Sequence, residues 1–217
     1  MSASGTLTRA TFPRRAALLG ASSALLVLGC AHDGTLATPR GNTILLGQSG
    51  IPQHAGQAHR CPSGLGDGEV QRSWESGKKL FKGTCQGGLM VGEWKGYYEN
   101  GATEWSATFQ NGVIVGTFKS WYANDQEKAK VAYQDGVPEG DFKSWHFNGE
   151  VSAKGKFIGG KRNGCWETWH DNGQKASKGT YDDDRQVVTW LYWTPDGTKR
   201  KEKMGGEARH GECLITF

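Results

Sequence analysis

The sequence has no signature of a catalytic or phosphate-binding site. A nucleophile elbow, a phosphate loop and an HExxH helix are all missing. No Cys-x-x-Cys pair offers a metal site either, so neither an enzyme nor a cofactor nor a resident metal is expected. Apolar residues are scarce, at 36%. The apolar run from Ala16 to Leu28 falls short of the roughly 20 residues that a membrane-crossing helix needs. Charge of one sign is nearly missing as well. The 26 Lys and Arg exceed the 22 Asp and Glu by only four, and three of the arginines, Arg9, Arg14 and Arg15, lie in a leader with no acidic residue. Without them the excess is one, too little for a nucleic-acid-binding domain, and no nucleic-acid partner is expected.

Glycine is what the chain has in excess, 33 of 217 residues, together with 11% aromatics. Glycine is costly inside helices, and disordered chains lack aromatics. Both together predict short strands joined by tight turns. The leader, residues 1–29, reads as an export signal: Arg14-Arg15, a short apolar stretch, then Val27-Leu28-Gly29-Cys30. That junction resembles a bacterial lipobox, which makes Cys30 the expected lipidation site and membrane lipid the first expected partner. Arg14-Arg15 also permits twin-arginine export. Ala31, by its similarity to the sorting pattern of enteric lipoproteins, directs the protein to the outer membrane of a bacterial envelope. Residues 30–60 hold five glycines, two prolines and no aromatic ring after Cys30, and read as a flexible tether.

Residues 61–217 carry a repeat of 24 residues. Gly68, Gly92, Gly116, Gly140 and Gly164 keep that spacing, and Val188 continues the frame without the glycine. Two residues on stand Val70, Trp94, Phe118, Phe142, Trp166 and Trp190. Two sets of turn pairs recur, one from Asn100-Gly101 to Asp196-Gly197 and one from Gly87-Gly88 to Asp183-Asp184. Asn-Gly and Asp-Gly favour two-residue hairpins with positive φ at both central positions. Two turns per unit leave two strands, and the expected fold is all-β: a single-layer antiparallel meander of about six hairpin repeats. Alternation puts Trp94, Gly96 and Tyr98 on a buried face with Trp105, Ala107 and Phe109. It puts Tyr97, Trp121, Trp145, Trp169 and Trp193 on the other face, flanked by Lys95, Lys119 and Lys143, with Lys130, Lys154 and Lys178 from the partner strands.

The unit G-x-[W/F]-x-x-[W/Y]-x-x-N-G resembles the MORN-repeat variant found in YwqK-like bacterial proteins, over Gly68–Gly211. The resemblance implies the meander and a scaffold without catalytic residues. It also implies an alternative role as an antitoxin or immunity protein that masks a toxin, which an exported chain fits badly. The primary expectation is a non-catalytic, lipid-anchored envelope scaffold for a protein or glycan, with the Trp–Lys face as the binding candidate.

Four further cysteines follow Cys30. Cys61 and Cys85 are the disulfide candidates, provided that residues 61–67 are irregular, because equivalent positions in a regular meander stand about 9.6 Å apart. Cys165 and Cys213 lie two rungs apart and are not expected to bond. His146 and His170 occupy the place of Tyr98 and Tyr122 and read as ring-for-ring replacements, and Asp182-Asp183-Asp184 reads as a solvated turn.

Overall fold

The computed structural model describes residue 52 and residues 56–213. The expected signal, Cys30 and most of the expected tether lie outside those residues. Strands β1 (Gly68–Ser73) and β2 (Lys79–Gln86) form the first hairpin, and β3 (Leu89–Tyr97) and β4 (Thr103–Gln110) the second. β5 (Val113–Trp121) pairs with β6 (Glu127–Gln134), and β7 (Val137–Trp145) with β8 (Val151–Ile158). β9 (Lys161–Trp169) and β10 (Lys175–Asp182) are the fifth hairpin, β11 (Arg185–Trp193) and β12 (Lys199–Lys203) the sixth. All twelve lie in one open antiparallel sheet in sequence order.

The two sets of turns differ in kind. Between hairpins the turns have two residues with positive φ, as at Asn111 and Gly112 (50° and 80°), which is the expected type I′ geometry. Within hairpins the expectation of the same geometry is wrong. The Gly101 N–H donates to the Tyr98 carbonyl and the Tyr98 N–H to the Ala102 carbonyl. That is a three-residue loop with a type I turn closed by one left-handed residue, Gly101, at φ 94°. Asn100 drives the choice: its Oδ1 accepts from the Ala102 N–H, while its Nδ2 donates to the Ala123 carbonyl of the next unit. Asn124, Asn148 and Asn172 repeat both bonds.

The glycine that marks the repeat serves a bulge. Lys82 faces Lys95 and Thr84 faces Val91, so β3 sets three residues, Gly92 to Trp94, opposite Gly83 alone. Gly92 takes φ 66° to absorb the extra length. The Trp94 indole then lies on Gly83, where an added Cβ would stand 2.1 Å from the ring. Its Nε1–H donates to the Thr84 carbonyl at 3.1 Å. Trp166 repeats this over Gly155 with the Lys156 carbonyl, and Trp190 over Gly179 with the Thr180 carbonyl. Where the residue opposite the bulge is larger, at Ala107, the ring is the smaller Phe118; in the next unit Ala132 stands alone opposite the bulge, and Phe142 pairs directly with Val131. These rings form the core, with Trp94 and Phe118 fully buried. Each also meets rings of the neighbouring rungs, as in the Phe142–Trp166 stack at 5.4 Å.

Both ends of the array are fastened. The Cys61–Cys85 disulfide joins Cα atoms 6.0 Å apart. Upstream of it, the Gly56 N–H donates to the Gly136 carbonyl and the His59 N–H to the Gly112 carbonyl, so the chain crosses successive type I′ turns. At the far end Cys165 is bonded to Cys213, with Cα atoms 4.7 Å apart, contrary to the expectation from a regular array. Cys213 does not occupy a rung. After β12 the chain turns back, and the Cys213 N–H donates to Thr180 Oγ1. Each loop closure of this length contributes about 3–4 kcal/mol in the chain-entropy picture.

Gly155→Ala should cost on the order of 1–3 kcal/mol by overpacking. Trp166→Phe in that background should return part of it, a coupling of about 0.5–3 kcal/mol. Chemical denaturation of both single variants and the double variant measures this, and additive effects would refute the ring-on-glycine account. A second test concerns the bulge glycine. Gly116 sits at φ 71° with nothing near an added Cβ, so Gly116→Val isolates backbone strain, at about 1–3 kcal/mol. Val188 already carries that strain at φ 53°. Val188→Gly should therefore stabilise the protein by about 0.5–1 kcal/mol after the entropy cost of glycine. A Val188→Gly midpoint below wild type would contradict this.

Candidate functional site

The face opposite the core carries two parallel rows. The first is Tyr97, Trp121, Trp145, Trp169 and Trp193, one ring per unit, all half-buried. Successive rings are two strands, about 9.6 Å, apart. Each stands at the register shift that ends its strand, as between Ser120 and Trp121. The carbonyl released there accepts a hydrogen bond from a side chain 23 residues upstream. Trp74 Nε1 donates to the Tyr97 carbonyl, Tyr98 Oη to Trp121 and Tyr122 Oη to Trp145. His146 Nε2 donates to Trp169 and His170 Nε2 to Trp193, each at 2.8 Å. The histidines therefore stand in for the tyrosines, and the nitrogen that faces the carbonyl carries its proton. This ladder fixes the backbone beneath every ring of the row.

The second row lies two residues away along each strand and crosses the whole sheet in direct register. Lys82 faces Lys95, and Ser106 separates Lys95 from Lys119. Lys119 faces Lys130, Lys130 faces Lys143 and Lys143 faces Lys154. Glu167 follows, then Lys178, Leu191 and Lys201. The expected Lys95, Lys119 and Lys143 thus join the ammonium groups of the alternate strands in one line. The expected Lys130, Lys154 and Lys178 are among them, while Lys82 and Lys201 were not singled out, because placing them needs the bulge count of each rung. A carboxylate balances it only locally. Lys95 pairs with Glu93 at 2.9 Å, and Glu167 holds Lys175 and Lys178 at 2.7 and 3.3 Å. Burial raises the Glu167 carboxyl, and its bonds to those two lysines outweigh that and set it below the ordinary carboxylate range. Among the described residues, Lys130, Lys143 and Lys154 have no ion-pair partner. The Lys143 ammonium stands 4.7 Å from the Trp145 ring centre and Lys154 5.4 Å from that of Trp169.

The inner face holds charge that the sequence analysis did not single out. Glu104 and Lys128 occupy bulge positions one unit apart and are both buried. Burial pushes the Glu104 carboxyl up to about 7, with Lys128 pulling the other way, and burial lowers the Lys128 ammonium. Farther along, the same positions shrink to Ser152 and Ala176. A cavity of about 550 Å3 opens there, lined by Phe142, Phe157, Trp166 and Trp190 with Ser144 and Ser177 among its polar groups. The acidic turn is not simply solvated, as had been expected. Asp182 is buried and bound by Arg209, which also holds Asp183, while Arg162 holds Asp184.

Residues 90–111 and 162–183 match the family of MORN repeat variants. The two stretches are three units apart and span β3–β4 and β9–β10, so the likeness falls on the same part of the unit each time. No curated protein matches the chain.

Glu104 sets a pH dependence. Its folded value lies above the ordinary 4.5. Below about pH 4.5 the carboxyl is neutral in both states and its contribution is intact. As pH rises through about 7, the folded state must carry a desolvated charge and stability is lost, on the order of 1–3 kcal/mol. Glu104→Gln should flatten denaturation midpoints between about pH 5 and pH 8. Equal slopes in variant and wild type would show that Glu104 is not responsible.

Proposed function

We propose that the protein is a non-catalytic interaction scaffold of the bacterial envelope, anchored by lipid at Cys30, whose aromatic and lysine face docks a protein or glycan. The observation that carries this reading is the double row: half-buried rings at a fixed period beside a line of ammonium groups, of which Lys130, Lys143 and Lys154 have no ion-pair partner among the described residues. Such a face is costly in water unless it is covered. The repeat supplies a rigid, evenly spaced surface and keeps its fold when a single outward residue is changed.

The test joins anchoring and docking. Cys30→Ala should move the protein from membranes to the soluble fraction. Trp121→Ala and Trp145→Ala should each weaken capture of envelope ligands by about 1–3 kcal/mol, with circular dichroism unchanged. Identical capture by both folded variants and wild type would remove the face from the proposal, and sedimentation of the Cys30 variant with membranes would remove the anchor.

A further inference from the structure

The line of lysines is expensive. Like charges directly opposite each other across antiparallel strands destabilise a sheet. Lys119, Lys130, Lys143 and Lys154 stack four such charges on four adjacent strands. The register is not an accident of one strand, since each bulge restores the lysine to the line on the next rung. Carboxylates could have alternated with the lysines, as Glu167 does between Lys154 and Lys178, where Lys178 closes an ion pair with it. From Lys130 to Lys154 they do not. The arrangement leaves positive charge at every strand step, about 4.8 Å, and a ring at every second step.

We propose that this face binds a linear polyuronate, an acidic polysaccharide with one carboxylate on each sugar, laid across the strands. This rests on the scaffold reading above and names its partner class. A sugar ring advances an extended chain by about one strand spacing, so the acid groups recur at the pitch of the ammonium line, alternate ones on its side of the chain. In a β-1,4-linked chain successive rings are turned over, and every second ring presents the same face. That period is the period of Trp121, Trp145 and Trp169. The C–H face of a sugar packs on an indole, and the cations beside the ring hold the acid group. An acidic peptide has no flat face at every second residue, and a lipid surface makes no use of a single-file line of charges.

The test uses the full chain and oligomers of polymannuronate. Binding should be measurable by quenching of tryptophan fluorescence and should weaken as salt rises. The variant Lys130→Gln/Lys143→Gln/Lys154→Gln should bind about tenfold more weakly, while its denaturation midpoint stays level or rises, because repulsion is relieved. Trp145→Ala should also lose about tenfold. The uncharged β-mannan should not bind. Absence of polymannuronate binding overturns the proposal, as does equal binding of polyglutamate, single-stranded poly-dT or phosphatidylglycerol vesicles. If polymannuronate fails while envelope capture still depends on Trp121 and Trp145, the scaffold reading stands and only the partner class falls. If both fail, the face itself is refuted.

Discussion

An indole lying flat on a glycine Cα is the contact on which the rest of this sheet depends. A single-layer sheet has no second layer to cover its apolar face, so each rung must be covered by its neighbours. Trp94 on Gly83, Trp166 on Gly155 and Trp190 on Gly179 do so by removing the side chain that would hold the ring away. The ring reaches across because its own strand is bulged, and a left-handed residue two positions earlier, Gly92, Gly164 or Val188, makes the bulge possible. The bulge frees a carbonyl, and the indole N–H takes it. One motif thereby supplies burial, curvature and hydrogen-bond satisfaction, and it explains why the chain is rich in both glycine and tryptophan.

The same irregularities organise the outer face. Each hairpin ends in a register shift that would leave a carbonyl exposed at the edge of the sheet. A ring from the unit before fills that need, whether it is the indole of Trp74, the phenol of Tyr98 or the imidazole of His146. Successive units are thus tied at the strand ends as well as through the ladder. The outer rings are held on a backbone with little freedom, so a ligand that spans several units meets sites that are already aligned.

Much of this was legible in the sequence, because a 24-residue period with paired turn residues admits few folds. The glycine frame, the two faces and the type I′ turns follow from local rules. The other turns were misread because Asn-Gly serves both two-residue and three-residue loops. What selects the longer loop is the Asn side chain reaching Ala123 of the next unit, a tertiary contact. Cys165 and Cys213 were separated by the same regularity that made the fold readable. Their bond forms where the repeat stops and the chain folds back. The Trp-to-Gly pairing was present in the letters: Gly83, Ala107, Val131, Gly155 and Gly179 are followed eleven residues later by Trp94, Phe118, Phe142, Trp166 and Trp190. Reading it required knowing which residue each ring covers beside its bulge; in the unit of Phe142 the lone residue is Ala132 and Val131 is the ring's direct partner.

The two faces vary in opposite ways along the array. On the inner face the bulge pair runs from Leu80-Phe81 through Glu104-Trp105 and Lys128-Ala129 to Ser152-Ala153 and Ala176-Ser177. Apolar volume falls steadily, the packing changes from rung to rung, and a cavity opens where the pair is smallest. Any tight core would tolerate such drift, since each rung needs to fit only its neighbours. On the outer face the ring position holds Tyr97, Trp121, Trp145, Trp169 and Trp193, and the lysine line keeps its register through every bulge. Stability does not require that uniformity. The lysines repel one another, and a half-buried surface ring could be replaced by many residues at small cost. A ligand that repeats at the pitch of the sheet does require it, because one missing ring or ammonium would break a contact at that unit alone. The inner face is therefore the part solved locally, and the outer face the part held to a common pattern.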